Sequence, residues 1–284
     1  MSARIAIAAL AMWVSASALA STRAAAAPEA CPRQNDPAAG PLAGGAGPAD
    51  FGAVPEACGA TDLSLRLRGA LLSAPTMPDY YGSFVETTTL RGRYLLSERS
   101  TLSFAADVFA YRYVNDASLA SRGPSAGPAT AAFHQTFALG SATAASLYGR
   151  VLLPLDTARQ NGVETGLELG GSLRALAGSR VVIDGGLSLA GPADIVGGQI
   201  HGRLIPSALA EAWVRLRPWV ALAGGAELRL AAAPEFDLLT VAPRLAARFA
   251  VRRRFWAAVL VELPVAGSDR TDLIAALHLG FTPN

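Results

Sequence analysis

From residue 62 to the C terminus, apolar positions recur at every second residue. Leu63, Leu65 and Leu67 alternate with Ser64, Arg66 and Arg68, and Leu102, Phe104, Ala106 and Val108 with Ser103 and Asp107. Val163, Thr165, Leu167 and Leu169 oppose Glu164, Gly166, Glu168 and Gly170; Val181, Ile183, Gly185 and Leu187 oppose Asp184, Gly186 and Ser188. Val220, Leu222, Ala226 and Leu228 oppose Trp219, Glu227 and Arg229; Leu239, Val241, Leu245 and Phe249 oppose Thr240, Arg244 and Arg248. The run closes on Leu273, Ala275, Leu277, Leu279 and Phe281, opposed by Asp272, His278 and Gly280. A period of two is that of a β-strand, and no helical template competes. Weaker windows at 84–94, 133–139, 144–153, 207–216 and 255–263 bring the count to about twelve strands. Pro243 falls within the tenth, which predicts a bulge or a late start there.

Each strand therefore has one apolar face and one polar face. If the apolar faces meet lipid, the sheet must close on itself, because an open edge cannot exist in hydrocarbon. The predicted fold is all-β: a transmembrane antiparallel up-and-down barrel of about twelve strands, an even number as bacterial barrels require. Connection lengths agree. Those at 97–100, 140–142, 177–179, 217–218 and 252–254 are tight, whereas those at 73–81, 115–131, 154–162, 190–206, 231–237 and 264–270 are longer. Short periplasmic turns alternating with longer outer loops mark this barrel class. Aromatics gather at both ends, with Tyr94, Trp213, Trp219, Phe255 and Trp256 near the tight turns and Tyr80, Tyr81, Phe84, Tyr111, Tyr113 and Phe236 near the loops. Arginines cluster at the tight turns (Arg99, Arg180, Arg215, Arg217, Arg252 to Arg254), and acids at the loops, among them Asp156, Asp194 and Asp269.

Composition supports the same reading. Hydrophobic residues make up 51% of the 284 and charged ones 16%, against a usual charged share of about 25%. After residue 20 no apolar run approaches the roughly 18 residues that a membrane-spanning helix needs. All 24 basic residues are Arg. A lysine phosphate loop, a Schiff-base lysine and a Ser-x-x-Lys nucleophile are thereby excluded. His134, His201 and His278 lie far apart with no ligand spacing, so no metal, no cofactor and no enzymatic activity are expected, and the balanced charge gives no affinity for nucleic acid.

Residues 1–26 read as a secretory signal, with Arg4, an apolar core from Ile5 to Val14 and small residues after it. Residues 27–61 form an Ala/Gly/Pro-rich flexible segment bounded by Cys31 and Cys58, which an oxidising periplasm would join as a disulfide. The barrel domain follows over 62–281.

The alternation places Arg66, Arg68, Arg91, Arg93, Asp107, Glu164, Glu168, Asp184, Glu227, Arg229, Arg244 and Arg248 inside, with Arg150, Arg174, Glu211 and Glu262. These are the candidate pore-lining residues. About eight strands leave an interior that side chains fill, and roughly 16 to 18 leave an open channel. Inward small residues (Gly166, Gly170, Gly186, Ala223, Gly225) leave room, which points to a narrow charged passage for small solutes. A closed barrel with a structural or adhesive role is the alternative.

The final strand resembles those of bacterial outer-membrane barrels, and the resemblance implies that Leu277, Leu279 and Phe281 carry the signal read by the assembly machinery. Lipids of a Gram-negative outer membrane are then the surroundings. Leu139-Gly140, Leu153-Pro154, Pro243-Arg244-Leu245 and Leu263-Pro264 followed by the last strand make 137–281 similar to outer-membrane transporters associated with phenol-degradation pathways. That resemblance implies passage of small solutes, aromatic ones included.

Overall fold

The computed structural model describes Cys58 and residues 61–72, 83–114, 127–153, 163–196, 198–233, 236–252, 254–265 and 271–282. The predicted signal (1–26), most of the 27–61 segment, Cys31 and the loops carrying Asp156 and Asp269 lie outside these residues. Thirteen strands follow in order: β1 (Asp62–Leu72), β2 (Ser83–Ser97), β3 (Ser100–Val114), β4 (Ala129–Ala138), β5 (Thr143–Leu153), β6 (Val163–Ala177), β7 (Val181–Val196), β8 (Gln199–Gly202), β9 (Ile205–Arg217), β10 (Val220–Ala233), β11 (Phe236–Ala250), β12 (Phe255–Glu262) and β13 (Thr271–Phe281). Each pairs antiparallel with its neighbours, β1 joins β13, and the β6–β7 pairing completes the ring. Twelve strands make the barrel.

The thirteenth is β8, absent from the sequence reading. It pairs only with the outer end of β7, from Ala193↔Gly202 to Val196↔Gln199, while β9 takes its place beside β7 from Ala190 inward. Gly198 supplies the left-handed residue of that hairpin (φ 82°), and Gly178 does the same at the tight β6–β7 turn (φ 76°). Those dihedrals suit glycine because it has no Cβ to clash.

Two local expectations change. Pro243 neither bulges β11 nor delays it: β10 and β11 pair without a slip from Val220↔Phe249 to Ala233↔Phe236. Proline is tolerated because its exposed side chain faces outward and β12 has already ended one position earlier, at Arg244↔Glu262. The same pairing shortens the connection expected over 231–237, since both strands continue into it.

The outer face is the apolar one. Leu187 and Leu245 are 67% and 66% exposed, and Leu63, Leu102, Phe104, Leu169 and Leu279 share that face. In water such a belt would be intolerable. In hydrocarbon it is the matching surface.

Candidate functional site

Antiparallel pairing sets residue opposite residue, so each inward side chain belongs to a row that runs around the wall. One row reads Glu262–Arg244–Gly225–Glu211–Asp184–Arg174 from β12 to β6. A second reads Ala190–Glu168–Arg150–Ala132–Ser103–Arg93–Asp62 from β7 to β1. A third, Arg248–Ala258–His278–Arg66–Thr89–Asp107, runs from β11 to β3. Next to the first lies an apolar row, Ala276–Leu260–Ala246–Ala223–Trp213–Val182–Leu176. Its members pack into one cluster inside the barrel.

Within the charged rows the contacts join near neighbours. Arg174 grips Asp184 of the adjacent strand with Nε at 2.7 Å and a second nitrogen at 2.8 Å. Arg150 reaches Glu168 at 3.0 Å, and the other oxygen of that carboxylate accepts from the Tyr148 hydroxyl at 2.9 Å. Arg93 donates to both oxygens of Asp62 across the β1–β2 pair. Arg244 sits among three carboxylates, 3.0 Å from Glu211, 3.6 Å from Glu227 and 4.0 Å from Glu262. Glu211 also accepts from Trp213 Nε1 at 2.5 Å, and Arg229 donates to Glu227 on its own strand at 2.7 and 2.8 Å. Arg66 donates to Thr89 (3.1 Å), which donates to Asp107 (2.5 Å). These contacts therefore follow the wall and do not cross the lumen. Arg174, Glu168 and Arg66 are almost completely buried, where a lone charge would be costly and a paired one is tolerated.

All the candidate lumenal residues lie at inward positions of the register, with Glu164 at the outer mouth, where Arg203 near β8 donates to it at 3.2 Å. The predicted room does not survive in two places. A Cβ on Gly170 would stand 2.5 Å from the Tyr148 hydroxyl oxygen, and one on Gly225 would collide with Ala210 O and Glu211. Glycine there admits a close neighbour, the Tyr148 side chain at Gly170 and the β9 backbone at Gly225, and leaves no gap. Gly280 likewise seats the Trp256 indole, over which Arg248 lies at 4.4 Å.

Two tryptophans also leave the predicted girdle. Tyr94 and Phe255 are exposed on the outward face near the tight turns and Trp219 is exposed in the β9–β10 turn, but Trp213 is wholly buried in the lumen, and Trp256 points inward. Trp213 shares its parity with Glu211, a signal the sequence contains but that alternating small residues over 207–216 obscure. At the assembly end, Leu277 and Leu279 are exposed outward, and Phe281 packs on Phe255 with ring centres 5.1 Å apart.

The structure also brings together a serine–histidine contact that the sequence did not show. Ser103 Oγ lies 3.2 Å from His134 Nε2, and the imidazole stacks on Tyr148 at 5.5 Å. Among the described residues no carboxylate hydrogen-bonds His134, and the nearby charge is Arg150, which opposes an imidazolium. A nucleophile with no acid to orient its base is not a hydrolytic triad. No group of His, Cys, Asp and Glu among the described residues is placed to hold a metal.

Three kinds of comparison bear on this architecture. No family model matches the chain, and no curated protein sequence matches it. Among solved structures, an outer membrane channel from Pseudomonas putida F1 superposes with TM-score 0.65 at 16% identity, covering 84% of this chain and 99% of that one. The KdgM porin in complex with disordered oligogalacturonate reaches TM-score 0.50 at 6% identity, covering 78% and 99%. The likeness is one of fold. At these identities it transfers the barrel and no residue's role.

Cys58 adds one feature of the tight-turn end. It precedes β1 by four residues, yet it is buried against Ala144 of β5 and Leu176 of β6, four and five strands away around the ring. Thr61 Oγ1 then accepts from Leu95 N of β2 at 3.0 Å.

Proposed function

We propose that this protein is an outer-membrane channel passing small solutes through a narrow charged lumen. The observation that carries the reading is the direction of the ion pairs. Inward charges of both signs pair along the wall between strands one or two apart: Arg150 with Glu168, Arg174 with Asp184, and Arg244 with Glu211. Mixed signs along such a wall make selectivity between anions and cations weak. The fold shared with an outer membrane channel supports the reading. Export by residues 1–26, a Cys31–Cys58 disulfide, and recognition of Leu277, Leu279 and Phe281 by the assembly machinery belong to the same proposal. So do passage of aromatic solutes, from the resemblance to the phenol-pathway transporters, and an outer-membrane location.

The test is swelling of liposomes that contain the refolded full chain. Entry of lactamide or arabinose faster than into protein-free liposomes supports the channel. Swelling no faster than the blank, with protein shown folded by heat-modifiable gel mobility, supports the second reading, a non-conducting structural barrel. That reading is favoured by one observation: the buried Trp213 cluster fills part of the interior.

A further inference from the structure

Six stations make up the tight-turn rim: five turns and the meeting of the β1 and β13 ends. Three consecutive stations, β6–β7, β9–β10 and β11–β12, read Gly178-Ser179-Arg180, Arg217-Pro218-Trp219 and Val251-Arg252-Arg253-Arg254, with no acid among them. The two turns on the other side differ: β2–β3 offers Glu98 beside Arg99, and β4–β5 carries no charge. Basic charge without an acid in the same turn is therefore confined to half of the rim.

Arg180, Arg217, Arg252 and Arg254 are exposed, and their guanidinium groups make no ion pair among the described residues. That sets them apart from the lumenal arginines, which are held by neighbours. Beside them lie exposed Leu216, Val251 and Phe255 at outward positions, and Trp219, exposed in the β9–β10 turn itself. Tryptophan and phenylalanine at that level mark the boundary between hydrocarbon and headgroups. The turns are bound to one another as well: Arg215 N donates to Arg180 O at 2.8 Å, and Ala250 N to Trp219 O at 2.9 Å. Backbone ties of this kind hold the arc as one surface.

We infer that this half-rim of Arg180, Arg217, Arg252 and Arg254, with outward-facing Phe255 beside it, binds anionic phospholipid headgroups of the leaflet facing the periplasm. Planar guanidinium forks match phosphate oxygens bidentately. Paired strands lie roughly 4.8 Å apart, so adjacent turns are close enough for a lipid beside one to be drawn by the charge of the next. Zwitterionic headgroups carry a compensating cation and gain less. The consequence is an annulus of acidic lipid on one side of the barrel only.

The test uses the folded full chain in non-ionic detergent, titrated with phosphatidylglycerol or phosphatidylcholine and read by native mass spectrometry. Each arginine near an anionic surface contributes on the order of five-fold in affinity. The wild type should therefore prefer phosphatidylglycerol by about ten-fold or more, and less as salt rises. The variant R180Q/R217Q/R252Q/R254Q should bind both lipids alike while keeping its heat-modifiable mobility, and R252Q/R254Q should show a partial loss should the fourfold variant fail to fold. Equal binding of the two lipids by wild type, or an undiminished preference in whichever variants fold, overturns the inference.

Discussion

A glycine in a strand interior usually weakens it. In this barrel three of them instead receive a side chain from the next strand: Gly170 that of Tyr148, Gly280 that of Trp256, and Gly92 the Phe104 ring on the lipid side. At Gly225 the backbone of Ala210 and Glu211 takes that place, and Arg244 reaches the Glu211 carboxylate two strands away. Filling such a seat displaces its occupant. Gly225→Val should cost about 1–3 kcal/mol by overpacking, measured as a lower urea midpoint in lipid vesicles. Removing a partner from a buried pair should cost more. Asp184→Ala strips Arg174 of its bidentate acceptor and should lose roughly 3–5 kcal/mol, whereas Arg203→Ala, at an exposed pair, should change stability by less than about 1 kcal/mol. Equal effects of the two would contradict the burial argument. None of these pairings can be read from sequence. Alternation states that Arg174 and Asp184 both face inward, but which carboxylate meets which guanidinium depends on the register between strands.

At the scale of the element, alternation is a sufficient signal wherever side chains differ sharply between faces. The twelve barrel strands were legible for that reason, and so was the alternation of tight and long connections. β8 was not, since four residues (Gln-Ile-His-Gly) offer too short a pattern to separate from a loop. β9 hid the inward face of Trp213 because Ala208, Ala210 and Ala212 mark the other face only weakly. Pro243 misled because its missing N–H matters only where a neighbour needs it. Two measurements test these assignments. Leu245→Arg, at the middle of β11 on the lipid face, should destabilise by about 2–4 kcal/mol, and no loss would mean that the face does not meet hydrocarbon. Replacing 199–202 by a Gly-Ser link of equal length should leave heat-modifiable mobility intact, because β8 closes no part of the ring.

For the whole molecule, three surfaces divide the work: an apolar outside for lipid, a rim with acid-free basic turns on one side, and an inner wall that carries charges of both signs in rows. The closed barrel followed from the sequence through one physical rule, that hydrocarbon forbids an open edge. The rows did not, because they depend on the stagger of twelve strands. About twelve strands stand between the interior that side chains fill and the open channel. Trp213 and its apolar row occupy one sector, and Trp213→Ala should widen the passage and raise its conductance. The most direct test of the central claim is single-channel conductance of the refolded full chain in a planar bilayer. Discrete, reproducible steps with weak ion selectivity, larger in Trp213→Ala, are expected of a channel; silence from protein shown to be folded, in both forms, would contradict that function.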